Sequence, residues 1–387
     1  MNPSVFRNDE VARSASSPGR LTVEVATTIV AAALIVCAVA ANQSWLDRHF
    51  LPSFFMPRDW YVRIETFVRL AVGASGVSLA FLARRPIGRI VGTKPGLVVG
   101  IGIAAILALG ASELVLRRVH LRPTEWLLPE EEPRRRLDPR LGWTLSPARA
   151  GRSNVGGRTI EYAIDPAGYR VRRLDEPVDP ARPTLLFSGE SIMFGEGLAW
   201  DETVPAQVGA MLGIQSANLA VHGYSTDQAY LRLVTELPRF RQPVAVVTLF
   251  MTALFGRNLD DDRPHLGPGL AWLPAEHASR LAALAGLLVP YRTDATVRQG
   301  IQVTSEVLRA TVELARSRGA QPLIVIPQMG PEAPSEQLLR HRIVDEAGVP
   351  SVLVEIDPDW HLPWDRHPNA RGAHAIASAI AARLGKK

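Results

Sequence analysis

Ser191 stands in the segment LLFSGESIMFGEG, in a Gly- and Ser-rich turn just past a short apolar run. A serine placed there, at the start of a following helix, can expose its hydroxyl while nearby backbone N–H groups meet developing negative charge. A single serine in a loop is usually a cap or turn residue, so the assignment needs partners. The segment WDRHPNARGAHAIASAI supplies them. Asp365 and His367 fall in its polar stretch, directly before the last helical pattern. Taken alone, His367 reads as a surface residue at a helix entry. Taken with the serine turn, it reads as the base for Ser191, with Asp365 orienting its imidazole.

The segment NLAVHGYSTDQ adds a third element. Gly223 allows a tight turn and leaves its N–H open, which suits an oxyanion donor. Gln228 is expected on the first turn of the next helix, with a structural part. The glycines around Ser191 do not make a phosphate loop, since neither GxxxxGK[ST] nor dinucleotide spacing is present. Asp260, Asp261, Asp262 and His265 read as a solvated acidic loop rather than a metal site. No cofactor and no metal is expected. The single cysteine, Cys37, excludes an intrachain disulfide and a cysteine nucleophile after residue 37.

These residues need a scaffold that gathers them. TLLFSG, ANLAVHG, VAVVTLF, PLIVIP and SVLVEI are short apolar runs without polar alternation. Such runs suit parallel strands covered on both faces. Helical patterns separate them, among them STDQAYLRLVTEL and TDATVRQGIQVTSEVLRATVELARSRG. The expected fold is α/β, a three-layer doubly wound parallel sheet of about five strands over residues 181–387. Sites in such sheets lie beyond the carboxyl ends of the strands. Ser191, Gly223 and the MTALFGRN loop all follow strand candidates, and the Asp365–His367 stretch follows the last one.

With those positions in view, the chain resembles the SGNH or GDSL hydrolase superfamily over about residues 138–387. The Gly-Asp-Ser block of that family appears as Gly189-Glu190-Ser191, followed by FGEG at 194–197. Its second-block glycine matches Gly223, and its final aspartate and histidine match Asp365 and His367. DPRLGW and IDPAGYR resemble the lead-in of membrane-tethered members. The resemblance implies a catalytic triad of Ser191, His367 and Asp365, with an oxyanion hole from the Ser191 and Gly223 amides. It also implies an Asn after the third strand. There the chain reads TLFMTALFGRNLDDD, with Thr252 or Ala253 near the expected position and Asn258 further on. Either the Thr252 hydroxyl or the Asn258 amide is open as the third donor. Glu190, in place of Asp, is expected to alter local support rather than chemistry.

Apolar residues make up 47% of the 387, with a mean hydropathy of +0.06, and they crowd into the first third. Three segments are expected to span a membrane: residues 23–41, 67–83 and 96–116. The rival arrangement is two spans with an interfacial helix between them. A cleaved signal peptide fits less well, because polar residues precede the first segment and further apolar segments follow it. Arg69 in the second segment is expected to snorkel, and the loop RRPIGRIVGTKP follows it. Arg7, Arg13 and Arg20, with Arg84, Arg85, Arg89 and Lys94, favour a cytoplasmic N-terminus. The organisation is then a cytoplasmic tail (1–20), a membrane region of about three helices (21–116), a linker and lead-in (117–180) that becomes a small β-containing approach around TIEYAIDPAGYRVRR, and a catalytic domain (181–387) outside the cytoplasm. The net charge of +5 does not point to nucleic acid. Arg134, Arg135 and Arg136 follow Glu130, Glu131 and Glu132, and the stretch reads as a mixed-sign solvated linker.

The functional expectation is a serine esterase using an acyl-serine mechanism on an acylated envelope glycan or lipid. The alternatives are an O-acyltransferase modifying extracytoplasmic polysaccharide, served by a separate acyl-donor membrane protein, and an inactive binding or assembly protein of the same fold. The expected partners are the lipid bilayer and a polysaccharide substrate.

Overall fold

A computed structural model describes residues 18–51, 54, 56–276 and 278–385. The expected tail, with Arg7 and Arg13, lies almost wholly outside the described residues. Contacts divide the chain into two units. One runs up to Asp47 and includes Arg58–Arg118; the other joins Arg48–Pro57 to everything from Val119.

The first unit is helical. It comprises α1 (Pro18–Ala40), most of α2 (Gln43–His49), α3 (Arg58–Ser78), α4 (Arg84–Thr93) and α5 (Pro95–Leu116). Three stretches are long and apolar enough to cross a membrane: Arg20–Ala40, Arg58–Val91 and Gly96–Leu116. The second is far longer than the expected 67–83. A π turn, Leu79–Ala83, joins α3 to α4, so RRPIGRIVGTKP is mostly helix rather than loop. Pro86 has no N–H to give the preceding turn, and the widened turn sits just before it. Arg69 Nε donates to the Ala38 carbonyl at 3.2 Å, two residues before the end of α1. A cation among apolar helices gains more from a nearby carbonyl than from exposure to hydrocarbon. Gly76 lets α3 approach α1 closely, since a Cβ there would lie 2.8 Å from Ile35 Cγ1 and 2.9 Å from the Ala31 carbonyl.

The second unit is built on one eight-stranded sheet. The strands in chain order are β1 (Arg135–Asp138), β2 (Gly142–Leu145), β3 (Arg149–Val155), β4 (Arg158–Ile164), β5 (Arg170–Val171) and β6 (Pro183–Ser188). They continue with β7 (Gln215–Asn218), β8 (Gln242–Leu249), β9 (His265–Leu266), β10 (Trp272–Leu273), β11 (Gln321–Met329) and β12 (Ser351–Ile356). The main sheet has the order β12-β11-β8-β6-β7-β5-β4-β3. Its first five strands are parallel, as the apolar runs predict. The other three are antiparallel and come from the segment read as linker. That segment has too little periodicity to bound individual strands; β3, β4 and β5 pair in succession, and β5 joins them to β7 through Arg170 and Asn218. Nor is the Glu130–Arg136 stretch solvated linker. Arg135 pairs with Glu131 at 2.8 Å, and Glu132 pairs with Arg149 across the β1–β3 region.

Helices cover both faces of the sheet. The helices of this unit are α6 (Ser191–Phe194), α7 (Val204–Leu212), α8 (Thr226–Glu236), α9 (Arg280–Leu288), α10 (Asp294–Ser317), α11 (Pro334–Arg340) and α12 (Ala370–Leu384), of which α9 buries no residue against the sheet. Leu185, Phe187, Val247 and Val325 point to one face, where α12 adds Ile376 and Ile380. Leu186, Val246, Ile324 and Ile326 point to the other, against α8 and α10. This two-residue alternation with both faces buried explains the uninterrupted apolar runs. From β6 the chain passes to β7 on one side and later to β8 on the other. That reversal opens a crevice at the carboxyl end of β6, where Ser191 begins α6.

Candidate active site

The turn after β6 is held open by Gly189, whose φ of +152° brings it against β8. A Cβ there would lie 3.0 Å from Leu249 Cβ. Glu190 caps α6, its Oε1 accepting the Ile192 N–H at 3.2 Å. The turn closes at Gly195, whose N–H reaches back to the Ser191 carbonyl at 2.9 Å. Arg170 on β5 then fastens the FGEG bend. It is fully buried and donates to the carbonyls of Phe194, Gly195 and Leu198 at 2.6–2.8 Å. Burial pulls its pKa down to about 10, so the cation persists at neutral pH.

His367 reaches this turn from the loop between β12 and α12. The loop is pinned by Leu362 N–H to the His367 carbonyl (2.8 Å) and Asn369 N–H to the Trp360 carbonyl (3.0 Å). Asn369 also caps α12 through the amides of Arg371 and Gly372. Asp365 holds His367 twice, accepting its backbone N–H at 2.8 Å and facing Nδ1 at 2.9 Å. The two-residue spacing permits this double grip. Nε2 is left 2.7 Å from Ser191 Oγ. Residues 176 positions apart in sequence are thus joined in one line, Asp365–His367–Ser191.

Ser191 and His367 are 3% and 5% exposed, so a charge formed here is poorly solvated. Burial by itself would lower the His367 pKa. The hydrogen bond to Asp365, with the charges of Glu196, Asp365 and Glu190, outweighs it and holds the imidazole above its ordinary 6.5. Burial would likewise raise Asp365, but the bonds and charge of His367 bring it below the usual carboxylate range. Glu196, in the FGEG bend, lies 3.8 Å from Nε2.

Glu190 does more than support the turn, contrary to the sequence expectation. Its side chain is one methylene longer than aspartate, and Oε2 accepts the Ser191 hydroxyl directly. One proton therefore faces two acceptors, Glu190 and His367. Arg257 stands behind the carboxylate, its Nη1 3.7 Å from Oε2 and 3.2 Å from the Tyr224 carbonyl. Burial lowers the Arg257 pKa, and Glu190 opposes that shift.

The exit from β7 runs beside the nucleophile turn, with Val221 N–H donating to the Gly189 carbonyl at 3.2 Å. Gly223 follows at φ +82°. Three successive carbonyls are held by side chains: His222 by Trp143 Nε1 (3.1 Å), Gly223 by Arg263 Nη1 (2.7 Å) and Tyr224 by Arg257. In a trans peptide the C=O and N–H point in opposite directions. Trp143, by holding the His222 carbonyl, turns the Gly223 N–H the other way. Trp143 also covers the glycine so closely that a Cβ would lie 3.1 Å from its ring. Among the described residues, neither the Ser191 nor the Gly223 amide donates to another backbone group.

Asn258 is not available as a third donor. Its Oδ1 accepts the Thr226 N–H at 2.9 Å, and its Nδ2 donates to Thr304 Oγ1 at 2.9 Å and Thr226 Oγ1 at 3.2 Å. The MTALFGRN loop coils into a 3-10 segment, Thr252–Leu259, that carries Asn258 away to tie α8 to α10. Thr252 is buried at the start of that segment. Gln228 is structural, bonding the Ser225 N–H and the Leu141 carbonyl. Asp260 and Asp262 are ion-paired to Arg263 and Arg122, at 2.9 and 3.4 Å.

One residue arrives from an unexpected place. Phe54, in the segment between the first two apolar helices, packs edge-on against His367 with ring centres 5.3 Å apart, and its N–H donates to the Ala253 carbonyl at 3.2 Å. Trp143, Arg257, Glu196 and Phe54 were not identified from sequence. For Trp143 the signal was present in DPRLGW, which was noted only as lead-in.

No family model and no curated protein matches this sequence. Solved structures do resemble it. A member of the G-D-S-L lipolytic protein family from Veillonella parvula is 11% identical, with a TM-score of 0.33 over 53% of this chain and 99% of its own. A family 2 carbohydrate esterase with a carbohydrate-binding domain from Corynascus thermopiles is 14% identical, with a TM-score of 0.34 over 56% and 69%. An acetyl xylan esterase from Butyrivibrio proteoclasticus is 12% identical, with a TM-score of 0.33 over 54% and 64%. The site's own geometry, rather than these likenesses, carries the chemistry. Fold and site together define an α/β domain with a Ser–His–Asp constellation at the sheet's switch point.

Proposed function

We propose that this chain is a membrane-anchored serine hydrolase that cleaves esters through an acyl-Ser191 intermediate. The observation that carries the proposal is the line from Asp365 through His367 to Ser191, at 2.9 and 2.7 Å. His367 Nε2 takes the hydroxyl proton as Oγ attacks the ester carbonyl carbon. The carbonyl electron pair moves onto oxygen, and the Ser191 and Gly223 amides meet that charge. The imidazolium gives its proton to the departing alkoxide, leaving the acyl group on Oγ. Water, deprotonated by His367, attacks the acyl-serine and releases a carboxylic acid.

The substrate class is an acylated envelope glycan or lipid ester met outside the cytoplasm. Topology supports this. Residues 48–57 belong to the same unit as 119–387, so both share one side of the bilayer. An even number of crossings must separate them, which favours spans at both Arg58–Val91 and Gly96–Leu116 over the two-span arrangement. Arginine placement favours that side being outside.

A fluorophosphonate probe tests the nucleophile. It should label the detergent-purified full-length protein, and Ser191→Ala should abolish labelling. A folded wild-type protein that stays unlabelled at pH 7–8 overturns the proposal. Adding a sugar acceptor to the ester assay separates hydrolysis from acyl transfer.

A further inference from the structure

Helix α9 (RLAALAGLL) buries none of its residues, whereas α10, next in sequence, buries nine. Leu287, Leu288 and Val289 are 64%, 72% and 58% exposed, and Tyr291 is 42% exposed. A contiguous apolar surface of this kind marks an interaction site.

Both ends of the helix are tied to chain that has just left an apolar helix. At its start, Arg280 forms a two-pronged pair with Glu125 at 2.5 and 2.6 Å, and Arg122 Nη2 donates to the Ala278 carbonyl at 2.8 Å. Glu125 is nine residues past Leu116, the end of α5. Beyond its other end, Arg292 N–H donates to the His49 carbonyl at 2.9 Å, His49 Nδ1 faces the Arg292 carbonyl at 2.6 Å, and the His49 ring stacks on Tyr291. His49 is nine residues past Ala40, the end of α1, and seven of those nine form α2, a rise of only ~10 Å. Each tie is thus made by a residue only nine positions along the chain from the end of an apolar helix. The sequence between Glu276 and Asp294 contains no acidic residue, while arginines stand at 280 and 292. Apolar side chains flanked by arginine and tyrosine match the boundary between headgroups and acyl chains.

We propose that α9 and the Val289–Tyr291 turn lie in the bilayer interface, with Leu287, Leu288 and Val289 seated in lipid. The occupant is lipid, rather than a second copy or another protein, because both tethers are residues leaving the spans. The inference rests on the membrane reading of the three apolar helices. Its consequence is that the domain is held at the membrane surface by a further point besides its three covalent connections to the apolar helices.

The test uses the full-length chain in nanodiscs of mixed phosphatidylcholine and phosphatidylglycerol. In a Cys37→Ser background, Leu288→Cys and Arg316→Cys are each labelled with an environment-sensitive fluorophore; both positions are solvent-exposed in the fold, so folding is not at stake. The label at 288 should shift to the blue, be quenched by shallow doxyl lipids and lose its quenching by iodide. The label at 316 should show the opposite. Equal iodide access at both positions overturns the proposal. So does a bismaleimide-linked dimer through position 288, which would assign the patch to a second copy. The membrane reading has its own readout, a label on native Cys37 in the otherwise unaltered chain. Lipid quenching at 37 without quenching at 288 sinks the α9 proposal alone; none at 37 sinks the membrane reading.

Discussion

Trp143→Phe isolates one hydrogen bond in the proposed oxyanion hole. Trp143 is 1% exposed, and its Nε1 donates to the His222 carbonyl at 3.1 Å. Phenylalanine keeps much of the ring that packs on Gly223 and Tyr224 but leaves that carbonyl without its donor. A buried carbonyl so abandoned costs about 1–3 kcal/mol, which favours rotation of the 222–223 peptide towards other partners. Rotation withdraws the Gly223 N–H from the developing oxyanion. Complete loss of one such donor costs about 10²–10³ in kcat. Arg263 still holds the Gly223 carbonyl at 2.7 Å, which resists a full flip, so a roughly tenfold fall is expected, about 1.4 kcal/mol. The assay is steady-state hydrolysis of p-nitrophenyl acetate by the detergent-purified chain. The interaction is made only in the transition state, so kcat and kcat/KM should fall together with KM little changed. A folded variant with unaltered kcat, or with only KM raised, would refute the reasoning.

The pH profile carries a second prediction. His367 must be neutral to act as base, and its raised pKa places the acid limb of kcat/KM above 6.5. Glu196→Gln removes a charge that raises this pKa and should move the limb to lower pH. Phe54→Ala relieves burial, which opposes protonation, and should move it to higher pH; shifts in the same direction would contradict the assignment. Asn258→Ala should lower the melting temperature, since about 1–3 kcal/mol of buried hydrogen bonding is lost. Its kcat should stay near wild type, and a hundredfold drop would restore Asn258 to the oxyanion hole. Arg170→Met leaves the Leu198 carbonyl without a donor, while the Phe194 and Gly195 carbonyls keep Asn218 Nδ2 and the Leu198 N–H, so it should cost about 1–3 kcal/mol in denaturant unfolding.

Several elements were readable from the chain alone because their physics is local or periodic. Four of the five parallel strands announce themselves as apolar runs, since both faces are covered and no polar alternation survives; β7 is Gln215–Asn218, and the run ANLAVHG overlaps it only at Ala217 and Asn218. Gly189 before Ser191, and Asp365 two residues before His367, are turn chemistry at strand ends, which short segments encode. The three apolar helices follow from hydropathy and length. Of the antiparallel edge β3–β4–β5 only the presence of β structure was legible, and not its strands or their pairing, because short strands of low periodicity take their identity from the neighbour they pair with. The same holds around the nucleophile. Glu190 looked like a change in local support alone until the reach of its side chain met Ser191 Oγ. Asn258 looked like a candidate donor until a 3-10 coil spent its amide on Thr226 and Thr304.

Sequence by itself therefore determined the candidate nucleophile, its candidate base and the orienting acid, because each sits in a segment whose local residues specify the turn that presents it. Only the tertiary structure decided what surrounds them. Trp143 reaches His222 across 79 positions, Arg257 comes to Glu190 from the far side of β8, and Phe54 comes to His367 from between two apolar helices. No periodicity records such contacts. They arise when packed layers bring distant side chains within a few ångströms, and that proximity sets the orientation of the Gly223 amide, the second acceptor for the serine proton and the burial that tunes the histidine.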